Sequence, residues 1–176
     1  MPTLYTQHLM LRPFQKADYK FFVDLETHPV NLEYEADEAP SQEYLMKKFD
    51  DMLALESQEN RAKYVFLVEE KGVPLGKVLI WQIDRNIDEW EMGWVLDPCH
   101  TGKGYASEAS RALLEFGFRE LGANRICSNC NSANTASERV MARIGMTKEG
   151  VLRETRKLRD HYYGSCIYSV LRREWK

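Results

Sequence analysis

Trp94-Val95-Leu96-Asp97-Pro98-Cys99-His100-Thr101-Gly102-Lys103-Gly104-Tyr105-Ala106-Ser107-Glu108 is the stretch on which the reading of this chain turns. An apolar strand runs to Leu96, and Pro98 prevents its continuation because proline has no N–H to give a ladder. A turn carrying Gly102 and Gly104 follows, and a helix opens at about Ala106. Glycine lets a backbone take unusual dihedrals and come close to a ligand. The first N–H groups of the helix have no partner within it, and with the positive end of the helix dipole they make an anion site. Lys103 adds a charge, and Ala106 leaves the mouth of the helix unobstructed. A pyrophosphate fits this description. The bland alternative is an ordinary glycine turn before a helix. A dinucleotide fingerprint would need a third glycine where Ser107 stands, and would open a βαβ unit. A P-loop would need four residues between its first glycine and Gly-Lys-Ser/Thr.

Upstream, Glu89 to Leu96, Leu75 to Ile83 and Tyr64 to Glu69 alternate as strands. They are joined by short connections such as Lys71-Gly72-Val73-Pro74, and they predict an antiparallel meander. Before them, Thr6 to Phe14 suits a first strand. Gln15 to His28 carries Tyr19, Phe22 and Leu25 at helical spacing and stops at Pro29. An acidic loop, Glu33 to Glu38, leads to a second helix with Ser41 as its N-cap. Downstream, Ala106 to Leu121 places Ala109, Ala112, Leu113 and Phe116 on one stripe, with Gly122 as the stop. Arg125 to Cys130 reads as a strand and Thr135 to Ile144 as a helix ended by Gly145. Met146 to Leu158 and Cys166 to Leu171 read as two closing strands. Helices between the later strands require at least one parallel pairing. The expectation is an α/β (α+β) mixed sheet of about seven strands and about four helices. The first half is a meander and the second is βαβ-like. With no repeat and no linker, residues 1–176 read as a single domain.

The 176 residues are 44% hydrophobic and 29% charged, enough to build a core. The net charge of −3 lacks the basic surplus of a nucleic-acid binder. Neither a signal peptide nor a run of about 18 apolar residues stands out, so no membrane partner is expected and the cytoplasm is the default location. Cys127-Ser128-Asn129-Cys130 has a CxxC spacing, but it lies at a strand entry with no second ligand pair, which favours small core residues over a metal or redox site.

The cradle resembles motif A of the GNAT superfamily, Q/R-x-x-G-x-G/A, in the residues Thr101-Gly102-Lys103-Gly104-Tyr105-Ala106. Thr101 departs from the usual Gln or Arg. Further matches follow in order: Leu9-Met10-Leu11-Arg12-Pro13, Glu91-Met92-Gly93-Trp94-Val95-Leu96, Asn131 through Asn134-Thr135-Ala136-Ser137 to Ile144-Gly145-Met146, Gly150-Val151-Leu152-Arg153, and Leu171-Arg172-Arg173-Glu174-Trp175. The set is most similar to the RimJ/RimL-like branch, the ribosomal-protein N-terminal acetyltransferases. The resemblance implies an enzyme that moves an acetyl group from acetyl-CoA to a primary amine by direct attack in a ternary complex, with no metal. The acceptor would be a protein N-terminal α-amine or a small cationic amine. Coenzyme A would be held by Trp94, Val95, Leu96, Thr101, Gly102, Lys103, Gly104, Tyr105, Ala106, Ser107, Asn134 and Ser137. Relatives are often homodimers. A non-catalytic acyl-CoA sensor or scaffold is the alternative.

Such a transfer needs a neutral amine, donors for an oxyanion and a proton for the thiolate. Glu91, on the strand entering the cradle, is the candidate base, with Glu89 in reserve; a solvated strand carboxylate is the rival reading. The resemblance implies a backbone N–H near Val95 for the oxyanion. It also implies a tyrosine acid at a position occupied here by Met141, which has no proton to give. Ser137 matches the serine given that part in the RimJ/RimL-like branch, unless it only bonds its own helix. Asn134 would bond the pantetheine arm, cap the helix, or both. The acidic loop 33–38 and the segment Asp160-His161-Tyr162-Tyr163-Gly164 are expected to border the acceptor.

Overall fold

In chain order the elements are β1 (Leu4–Tyr5), β2 (Met10–Pro13), α1 (Tyr19–Thr27), α2 (Pro29–Leu32), α3 (Gln42–Ala54), β3 (Lys63–Glu70), β4 (Val73–Asp84), β5 (Glu89–Leu96), α4 (Tyr105–Arg119), β6 (Arg125–Asn131), α5 (Thr135–Arg143), β7 (Thr147–Leu158) and β8 (His161–Leu171). They come from a computed structural model that describes residues 1–58 and 61–175. The strands form one sheet in the order β1-β2-β3-β4-β5-β6-β8-β7. Every pairing is antiparallel except β5 with β6. The eight strands and five α-helices among the described residues stand close to the expected seven and four.

Strand alternation divides the sheet into two faces. On one, Phe66, Val68, Val78, Ile80, Trp90, Met92, Ile126, Tyr168 and Val170 pack against Ala109, Leu113, Leu114 and Phe116 of α4 and Met141 of α5. Gly117 lets α4 come close to the sheet, since a Cβ there would lie 2.6 Å from Ile126 Cδ1 and 3.0 Å from Ile80 Cδ1. On the other face, Phe14, Val65 and Leu67 meet Phe22 of α1 and Leu45 and Phe49 of α3. Phe49 makes edge contacts with Phe14 and Tyr19, and Ser41 caps α3 by accepting from the Tyr44 N–H. Arg12 ties the outer strands to the start of α1 with a fork onto Asp18 (2.8 and 3.0 Å) and a bond to Glu69 (2.8 Å).

The first strand is shorter than its alternation predicts. Thr6 N–H turns back to the Leu9 carbonyl, and Thr6 Oγ1 and His8 N–H both donate to Glu108 of α4. The backbone at 6–9 is thus held as a turn, leaving Leu4–Tyr5 as a separate short strand. At the other end, β8 begins at His161, so the segment expected as a hairpin tip is mostly ladder, with only Arg159 and Asp160 in the left-handed turn.

Candidate active site

β5 and β6 are parallel neighbours over three register pairs only: Glu89 with Arg125, Trp90 with Ile126 and Glu91 with Cys127. Beyond them β5 continues to Leu96 on β4, and β6 continues to Asn131 on β8. A gap therefore opens inside the sheet. Asp97 N–H donates to the Leu75 carbonyl at 2.8 Å. Alternation along the regular β4–β5 ladder then turns the Val95 N–H to β4 and those of Trp94 and Leu96 into the gap. The free donors in the stretch expected near Val95 are thus those of Trp94 and Leu96, since the Val95 amide is committed to the ladder.

The gap leads to the glycine turn. Asp97 accepts from Cys99 N–H (2.9 Å) and closes a short 3-10 turn at Pro98–His100. Gly102 and Gly104 then take φ of +79° and +87°, where a side chain is strained, with open space where each Cβ would stand. Gly104 sits at the N-cap of α4 with no side-chain cap. The residues from Thr101 to Gly104 are exposed, and the N–H groups of Tyr105, Ala106 and Ser107 begin the helix without partners in it. Ser107 Oγ is buried with no hydrogen-bond partner among the described residues. Uncapped amides, an orphaned hydroxyl and two left-handed glycines under open space suit a pyrophosphate. Lys103 lies 5.9 Å from the Tyr105 ring centroid. The Tyr105 hydroxyl donates to Glu70 (2.9 Å), so Tyr105 offers the cradle its backbone while its side chain is held at the end of β3.

Glu91 lies on the α1–α3 face, beside Trp81 of β4 and Cys127 of β6. It is half-buried and accepts from Asn129 Nδ2. Burial raises its carboxyl above the usual range; the Asn129 bond and the charge of Arg156 oppose that rise, while Glu89 adds to it. Glu89 is held otherwise, in an ion pair with Arg125, which also reaches Glu149 at 2.6 Å. The two carboxylates expected as alternatives therefore differ, one available and one paired.

Ser137 lies across the sheet, on α5. Asn134 caps this helix, its Oδ1 accepting from Ser137 N–H at 3.0 Å. Among the described residues Ser137 Oγ makes no hydrogen bond, so the backbone-bonded alternative is not adopted. Met141, fully buried, fills the core one turn on, so this position is packing and supplies no acid.

The acidic loop and the last hairpin meet over Glu91. Arg156 donates to Glu35 (3.1 Å), Asn129 (2.6 Å) and Ser165 (3.1 Å). Arg159 donates its N–H to Asp37 (2.8 Å) and its guanidinium to the Glu33 carbonyl. Of the loop's carboxylates, Glu35 and Asp37 are thus engaged by the hairpin. Nothing in the sequence singled out Arg156 or Asn129; a cation two residues before the hairpin's apolar turn entry, facing an acidic loop, was the available signal. Cys127 and Cys130 are three apart on a strand and point to opposite faces, so the CxxC spacing does not bring the two thiols together.

Residues 8–147 match the acetyltransferase (GNAT) domain family. The uncharacterized N-acetyltransferase p20 of Bacillus licheniformis is 32% identical over 180 residues, covering 99% of each chain. The crystal structure of a GNAT-family acetyltransferase from Bacillus anthracis superposes with a TM-score of 0.85 at 25% identity, over 98% of this chain and 100% of that one. RimL, a ribosomal alpha-N-protein acetyltransferase solved with coenzyme A, shares the fold at a TM-score of 0.84 and 20% identity, over 97% of this chain and 98% of that one. No helix among the described residues is long and apolar enough to cross a membrane. A family match over most of the chain, together with the opened sheet and the glycine cradle beside it, places this protein in the GNAT family of N-acetyltransferases.

Proposed function

We propose that this enzyme transfers acetyl from acetyl-CoA directly to a primary amine inside the β5–β6 gap. The observation that carries the reading is the end of strand pairing at Glu91 and Cys127, with Glu91 on one face of the opening and Ser137 on the other. Acetyl-CoA supplies a thioester whose carbonyl carbon is open to attack. The cradle amides and Ser107 hold its pyrophosphate, and the free Nδ2 of Asn134 faces the arm. The amine enters from the Glu91 face and its nitrogen bonds to the carbonyl carbon. The amides of Trp94 and Leu96 stabilise the charge growing on the oxygen. The cationic amine gives one proton to water to free its lone pair, and Glu91, ionised and with its pKa raised by burial, takes the second N–H proton directly or through water as the amide forms. The C–S bond breaks, and on the opposite face Ser137 Oγ hydrogen-bonds the departing sulfur and passes it a proton, recovering its own from water.

The acceptor is a cationic amine in its resting state, drawn by Glu91 and by the carboxylates of the 33–38 loop. A protein N-terminal α-amine of the RimJ/RimL kind is favoured, and the fold shared with RimL accords with this. Small cationic amines are the second class. Free-thiol release with acetyl-CoA and a panel of N-terminal peptides, spermidine and aminoglycosides tests the reading. Turnover with peptides establishes the α-amine, and turnover with polyamines alone moves the assignment to small amines. Acetyl-CoA binding without thiol release from any amine overturns the proposal.

A further inference from the structure

A cavity of about 420 Å³ lies on the α1–α3 face, between α3 and the β3–β4 strands, with its lining residues Lys77 and Leu79 one strand over from Val95 and Gly93 of β5. Its floor is apolar, with Phe22, Val65 and Leu79 backed by Met52 and Leu55. Its charged lining is lopsided: Lys47, Lys48, Lys63 and Lys77 face a single lining carboxylate, Asp51. Beneath it, Glu26 of α1 accepts from both Lys77 and Lys48, the latter at 2.7 Å, so one carboxylate serves two ammonium groups. Lys77 is buried, and its ammonium lies over the Phe22 ring. Lys63 forms no ion pair with the other described residues. Burial lowers the pKa of Lys48 and of Lys63, and the Lys48 charge lowers Lys63 further. Burial is the main cause of both shifts, and an anion beside these ammonium groups would oppose it.

We infer that this cavity is a binding site for a small organic anion, a carboxylate on an apolar body, separate from the acetyl-transfer site. The apolar floor takes the body, and Lys48 and Lys63 take the carboxylate. The size lies in the range of small-molecule sites, roughly 300 to 1,000 Å³. Lys63, Trp81 and Glu91 stand in one row across β3, β4 and β5. Two strand spacings, about 10 Å, therefore separate the Lys63 and Glu91 backbones. Trp81 stands between them, its ring within 4.0 Å of the place a Gly93 Cβ would occupy.

The test is calorimetric titration of the whole chain with phenylacetate, without acetyl-CoA, against neutral phenylacetamide and inorganic phosphate. Phenylacetate is expected to bind at one site, with phenylacetamide and phosphate each about tenfold weaker or more. Lys48→Met and the surface change Lys63→Met should each weaken phenylacetate by about tenfold, with melting temperatures confirming that both fold. Glu91→Gln should bind phenylacetate like the unaltered chain. Absence of phenylacetate binding, equal binding of phenylacetamide, or indifference to Lys63→Met overturns the site. Phosphate binding as tight as phenylacetate overturns the amphipathic class, and loss in Glu91→Gln overturns the separation from the transfer site. None of these readouts depends on acetyl transfer, so the two proposals fail separately.

Discussion

The two faces of the sheet work by different means. On the α4–α5 face the cradle is mainly backbone: uncapped amides at a helix start and two glycines in the left-handed region, above an apolar core, with side chains added by Ser107, Asn134 and Ser137. On the opposite face they are side chains: Glu91 held by Asn129, Arg156 bridging Glu35 to Asn129, and a lysine cluster around Glu26. A backbone site is rigid and suits a ligand that never varies. A side-chain site changes with single substitutions, which suits an acceptor that differs from one family member to the next.

That contrast can be broken by kinetics, because changes on one face should move parameters for acetyl-CoA and changes on the other those for the amine. The largest expected effect is Glu91→Gln, a fall of about 100-fold in kcat with little change in the acetyl-CoA KM. Glu91 must be ionised to accept a proton, so kcat/KM should fall as pH drops through its raised pKa, and the Gln variant should lose that acidic limb. Gly104→Val should follow. A β-branched residue at φ +87° costs about 2 kcal/mol, so a rise of about 30-fold in the acetyl-CoA KM is expected, with amine KM unmoved. Ser137→Ala should lower kcat by about tenfold, the worth of one hydrogen bond to the departing sulfur. Arg156→Met should be smallest, about threefold in amine KM. Because the Arg156 charge lowers the Glu91 pKa, the same change should shift the acidic limb of the pH profile to higher pH. An Arg156→Met effect on acetyl-CoA KM alone would erase the division between the faces.

The sequence is legible where one residue type answers a backbone need. Gly102, Gly104 and Pro98 announced the cradle because few residues take positive φ or end a strand cleanly. The bounds of β5 matched its alternation, and Asn134 and Ser41 capped the helices expected of them. Legibility fails where the partner is distant. Glu108 holds Thr6 and His8 from about a hundred positions away, which shortened the first strand. Arg156 and Glu35 lie 121 positions apart, so their bridge left no local trace. Which amide near Val95 is free was not legible for a third reason: the direction of a strand amide depends on ladder register, which only the Asp97 bond to Leu75 revealed.

The three-pair junction between β5 and β6 also has a mechanical consequence. Five strands on one side and three on the other are joined through so few rungs that the sheet resembles two leaves on a short spine. The Trp94 and Leu96 amides lie mid-sheet by position yet face no neighbouring strand, so they should exchange with solvent deuterium like edge amides. A ligand spanning the gap would stitch the leaves together and slow that exchange, making these two protons a direct gauge of how firmly the sheet has been closed.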